Sequence, residues 1–116
     1  MEVGATIVPH IASTLWAALP DAYTVEVSSG YMSDDTITVT RDDLPDARVV
    51  IEANPDGYAA LHAEARMRDG EGEPWNALPL EGYSEWFDLT GLDETECDAL
   101  VGTEVAHWVE AAMSRA

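Results

Sequence analysis

The spacing at which apolar residues recur changes twice along this chain, and that change confines it to one fold class. From residue 7 to residue 19 they fall three and four apart, at Ile7, Val8, Ile11, Ala12, Leu15, Trp16 and Leu19, the pattern of one helix face. Thr6 stands where an N-cap belongs, Pro9 is tolerable in a first turn, and Pro20-Asp21 ends the helix. From Tyr23 the period becomes two. Tyr23, Val25 and Val27 face one way and Thr24, Glu26 and Ser28 the other, and Ile37 and Val39 repeat the pattern among threonines. Two half-buried strands follow from this. The connection over 29–35 is long for a hairpin and offers Tyr31 and Met32 beside Asp34 and Asp35 as exposed contacts.

A third strand is expected over Arg48–Ala53, with Val49 and Ile51 inward, and Asn54-Pro55-Asp56-Gly57 is a turn by local chemistry. The alanine content of Tyr58–Arg68 suits a helix. Its alternation of Leu61, Ala63, Ala65 and Met67 with His62, Glu64, Arg66 and Arg68 instead predicts a strand completing a hairpin. Residues 69–90 are broken by Pro74, Pro79 and Gly82, with a short edge strand over Ser84–Asp88. Asp93 and Glu96 then form a D-x-x-E capping pattern that opens the last helix. Its stripe is Cys97, Leu100, Val101, Val105, Trp108, Val109, Ala112 and Met113, with Gly102 inside it as a place for a bend or close packing. The order specifies an α+β fold, with an antiparallel sheet of three to five strands flanked by an N-terminal and a C-terminal helix. All 116 residues make one domain.

Over this patterned core lies an extreme surface charge. Twenty-three acids stand against five arginines and no lysine, a net charge of −18. Direct nucleic-acid binding is disfavoured, because phosphate contacts need clustered cations and the stretch from Asp69 to Ser114 has none. Anionic membranes repel such a surface, and no run approaches the ~18 apolar residues of a membrane span. Cys97 is the sole cysteine, so no intramolecular disulfide forms, and the N-terminal stretch lacks a basic leader. Both features suit a cytoplasmic protein.

Linear signals for chemistry are absent. No nucleophile elbow, phosphate loop or dinucleotide fingerprint occurs. His10, His62 and His107 lack metal-ligand spacing, and Asp69-Gly70-Glu71-Gly72-Glu73 lacks the ligand spacing of a calcium loop. His10 and His107 read as partly buried structural imidazoles. Cys97 reads as a small core residue whose thiolate is disfavoured by Asp93, Glu94, Glu96 and Asp98. No cofactor, metal or catalytic residue is expected.

What survives is the acidic field, densest from Asp69 to Asp98, where ten acids interleave with Trp75, Tyr83, Trp86 and Phe87. Aromatic residues supply desolvated anchors while carboxylates steer a basic partner. The expected contact residues are Asp34, Asp35, Asp69, Glu71, Glu73, Glu81, Glu85, Trp86, Asp88, Asp93 and Glu94. The leading expectation is a non-enzymatic acidic binding protein of the DNA-mimic type, an inhibitor like those of phages and mobile elements, including anti-CRISPR proteins. It would occupy the basic nucleic-acid-binding surface of a nuclease or similar protein. One alternative is an acidic chaperone or immunity protein for a basic effector. Another is an ordinary domain adapted to a salty cytoplasm, which the even spread of charge favours: ten acids and two arginines over 1–58, thirteen and three over 59–116.

Overall fold

The computed structural model describes residues 8–28, 36–53, 60–78 and 82–115. Helix α1 (Val8–Ala18) leads into strands β1 (Tyr23–Ser28), β2 (Thr36–Arg41), β3 (Ala47–Ala53) and β4 (Ala60–Met67). Short strands β5 (Asn76–Ala77) and β6 (Ser84–Asp88) follow, then helices α2 (Glu94–Leu100) and α3 (Ala106–Arg115). The sheet is antiparallel in the order β1-β2-β3-β4, and β5 and β6 both pair with β4, at its last and its earlier residues respectively. The α+β expectation holds, with a correction to the strand number. The described residues form six strands, because the two-residue β5 is too short to leave an alternating pattern and exists only through its pairing with Arg66 and Met67.

Alternation decides the contested segment. Leu61, Ala63 and Ala65 are buried while His62, Glu64 and Arg66 are only half-buried, so β4 is a strand despite its alanines. Helical propensity differs by only tenths of a kcal/mol per residue, whereas burying one leucine contributes about 1.5–3 kcal/mol. Val25, Ile37, Val39, Val49, Ile51 and Phe87 join that inward layer, covered by Ile11 and Leu15 of α1 with Leu19 just after it, and by Val101, Val105, Val109 and Met113 from the end of α2 through α3. On the opposite sheet face Val50 is the only buried strand residue among those described, as antiparallel sheets with one solvated face allow.

The first stripe needs one correction. Trp16 is 63% exposed. At 100° per residue it lies about 40° beyond Ala12, past the arc that Ile11, Ala12, Leu15 and Leu19 present to the core. At the other end, Asp93 and Glu96 form the expected capping box: Asp93 Oδ1 accepts from the Glu96 N–H at 2.8 Å, and Glu96 Oε1 from the Asp93 N–H at 3.3 Å. Between α2 and α3 the chain forms a π turn over Val101–Val105. Gly102 lies within it, and a Cβ there would sit 3.8 Å from Thr14 Cγ2 of α1. Among the described residues no helix is long and apolar enough to cross a membrane. Thr6, Ile7, the 29–35 connection and the 54–57 turn lie outside the described residues.

Candidate interaction surface

Strand β6 is the outer member of the sheet beyond β4. Phe87 faces the core, and the neighbouring Trp86 faces the open side of the sheet. The Ala65 N–H donates to Tyr83 O at 2.8 Å, and alternation along an antiparallel pair therefore turns the main-chain groups of Ser84, Trp86 and Asp88 away from β4. Glu85 blunts this edge, its Oε1 accepting from the Trp86 N–H at 3.3 Å. Trp86 stays 57% exposed. Its ring rests on His62, its cross-strand partner, with centroids 4.5 Å apart.

Beside this edge runs an open groove of about 520 Å³ between β6 and α3, lined by Glu85, Trp86, Phe87, Glu104, His107 and Trp108, with Gly82, Ala111 and Arg115 completing it. Phe87 and Trp108 meet edge to face at 6.3 Å. Arg115 is engaged locally: its Nη2 donates to Gly82 O at 2.8 Å, its guanidinium lies 5.2 Å from the Tyr83 ring, and the Tyr83 hydroxyl donates to Arg115 O at 3.0 Å. The exposed carboxylates of Glu85 and Glu104 therefore flank an aromatic surface. An indole face beside carboxylates is chemically suited to a lysine or arginine side chain, through cation–π attraction and charge-assisted hydrogen bonds.

The expected contact residues fall into separate groups. Glu85, Trp86 and Asp88 share β6, and Asp88 Oδ1 accepts from the Thr90 N–H at 2.9 Å. The side chain and N–H of Thr90 hold that carboxyl below the usual carboxylate range. Asp69, Glu71 and Glu73 are exposed on the loop between β4 and β5. Asp93 serves as the α2 cap, and Glu94 turns toward α1. Asp34, Asp35 and Glu81 lie outside the described residues. His62, Glu104, His107 and Trp108 were not among the expected contacts. His62 meets Trp86 only through the β4–β6 register, and Glu104 and His107 face β6 only through the packing of the π turn and α3, relationships that carry no linear signal.

His10 and His107 are exposed rather than partly buried, and of the two His10 keeps a structural role. Its side chain is 44% exposed, and Nε2 lies 2.7 Å from Asp98 Oδ1 and 3.7 Å from Glu94 Oε1. Thr14 Oγ1 donates to the same Asp98 oxygen at 3.4 Å. These contacts join α1 to α2. The ligand atoms of His10, Glu94 and Asp98 lie within 4.8 Å of one another, a nitrogen-and-oxygen set that could hold a divalent cation. Cys97 is buried as expected, and burial first, then Asp98 and Asp93, pushes its thiol pKa up, away from nucleophilic use.

Comparison with protein-family models, with curated proteins and with solved structures finds no match to this chain.

Proposed function

We propose that this protein is a non-enzymatic acidic binding protein that takes up a basic surface of another protein, with the β6 edge and its groove as the contact centre. The observation that carries this reading is Trp86, a large aromatic left 57% exposed on an edge strand and bordered by Glu85, Asp88 and the groove that Glu104 lines. An exposed tryptophan supplies the apolar area that binding hot spots concentrate. Surrounding carboxylates raise the encounter rate with a cationic partner. Mimicry of nucleic acid toward a nuclease or other DNA-binding protein is the leading specific form, since those proteins present the basic grooves that such a surface fits.

The test is displacement. Sequence-non-specific DNA-binding proteins are loaded with a fluorescent duplex, and the acidic protein is titrated in across a salt series. Release of the duplex is expected at low salt, weakening as salt rises, and a Glu85→Gln/Asp88→Asn/Glu104→Gln variant is expected to lose it. Release that is unchanged in the variant and insensitive to salt would sink the idea.

A further inference from the structure

Three of the five arginines of this strongly acidic chain gather at one corner of the open sheet face. Arg48 on β3 stands directly opposite Arg66 on β4, and Arg68 follows just beyond the end of β4. The guanidinium carbons of Arg48 and Arg68 lie 4.2 and 4.7 Å from the centroid of the Trp75 ring. Like charges placed opposite each other on neighbouring strands oppose sheet formation. With 23 acids available to the chain, that arrangement calls for a negative counterpart.

Local acids supply part of it. Arg66 Nε donates to Glu64 Oε1 at 2.8 Å. Arg68 Nε donates to Asp46 Oδ1 at 2.9 Å, and its Nη2 to Pro45 O at 3.1 Å. Arg48 is different: its Nε is buried without an acceptor, and it makes no hydrogen bond or ion pair with any described residue. Burial, with Arg66 and Arg68 adding to it, lowers the pKa of Arg48, so the surroundings do not compensate its charge. A guanidinium stacked on an indole uses its face and leaves its in-plane N–H groups for a planar anion.

We propose that this corner is a binding site for a small oxyanion, a carboxylate or phosphate group bridging the unpartnered donors of Arg48 and Arg66 beside Trp75. Such a ligand would neutralise the like-charged cross-strand pair and give the terminal nitrogens of Arg48 acceptors that the protein does not. The site is independent of the β6 surface and takes a ligand of opposite sign.

The full chain is titrated with inorganic phosphate and, separately, with succinate, at an ionic strength fixed with sodium chloride. Arginine Nε–Hε resonances and calorimetry report binding. One saturable site is expected, with Arg48 and Arg66 signals moving most. Saturation by phosphate alone assigns a phosphate, by succinate alone a carboxylate, and by both the shared oxyanion chemistry. Arg48→Gln is expected to weaken binding about tenfold or more, the worth of one charge-assisted contact. Arg41→Gln, which removes a guanidinium already paired with Asp43, is expected to leave binding unchanged. Should Arg48→Gln fail to fold, Arg66→Gln reads the same loss. No saturation by either anion beyond the chloride background, or full affinity in the corner variants, overturns the proposal.

Discussion

The imidazole of His62 and the indole of Trp86 lie with centroids 4.5 Å apart and planes inclined by 37°, across the β4–β6 pair. This contact orients an otherwise exposed ring without burying it. Aromatic pairs of this kind are worth about 0.5–1.5 kcal/mol beyond area burial. A double-mutant cycle with His62→Ala and Trp86→Ala, read by urea unfolding, is expected to show a coupling of that size. Additive effects of the two substitutions would mean that the rings are merely adjacent.

The reciprocal capping of α2 gives a second expectation. Asp93→Ala removes the acceptor of the Glu96 N–H and is expected to cost about 1 kcal/mol. Glu96→Gln keeps an oxygen for the Asp93 N–H and is expected to fall within about 0.5 kcal/mol of the parent. Equal losses in chemical denaturation would show that charge, rather than the hydrogen-bond geometry, carries the cap.

This cap was legible because both of its bonds are local, four residues holding all the donors and acceptors. The β4 strand was legible because alternation of Leu61, Ala63 and Ala65 survives any uncertainty about partners. The β6 surface was only half visible. Trp86 and Glu85 stand out as an aromatic beside an acid, but His62 lies 24 positions earlier and reaches Trp86 only when β6 pairs with β4 in one register. The arginine corner was hidden for the same reason. Arg48 and Arg66 oppose each other through the β3–β4 register, and Trp75 reaches Arg48 across a loop. Trp16 shows the converse error, since spacing gives the axis of a stripe while its width depends on what the helix packs against.

Two glycines are expected to respond oppositely to alanine. Gly82 has φ +90°, and a Cβ there would lie 3.3 Å from both terminal nitrogens of Arg115. Gly82→Ala therefore strains the backbone and crowds the Arg115 clasp, at a cost of about 1 kcal/mol or more. At Gly102 a Cβ meets Thr14 Cγ2 at 3.8 Å, an ordinary contact. Gly102→Ala is expected to stabilise by about 0.5–1 kcal/mol, the difference in helical propensity. Thermal unfolding of both variants checks the signs.

Cys97 gives a pH dependence of definite sign. Its pKa is raised in the fold, first by burial and then by Asp98 and Asp93. A group that holds its proton more tightly when folded stabilises the fold fully below its unfolded pKa, and that contribution disappears as pH rises through the folded value. Stability is therefore expected to fall more steeply above about pH 8.5, the ordinary thiol value, than in Cys97→Ala. Parallel curves for the two proteins would show that the thiol does not ionise differently on unfolding.

The acidity itself can be tested for local or global use by moving the same amount of charge at two places. Glu85→Gln/Asp88→Asn/Glu104→Gln removes three carboxylates at the β6 edge and groove, whereas Asp21→Asn/Glu26→Gln/Asp42→Asn removes three exposed ones around β1. Both variants change net charge equally, so long-range steering and self-repulsion respond alike. If the β6 surface is the contact centre, only the first variant loses displacement of duplex from a basic protein. If the charge is instead an adaptation to salt, both behave alike in binding, and the parent melts at low temperature in dilute buffer. Its melting temperature then climbs as the screening length shrinks from about 30 Å at 0.01 M to about 3 Å at 1 M salt. A stable fold in dilute buffer, together with loss of displacement confined to the β6 variant, assigns the carboxylates to recognition.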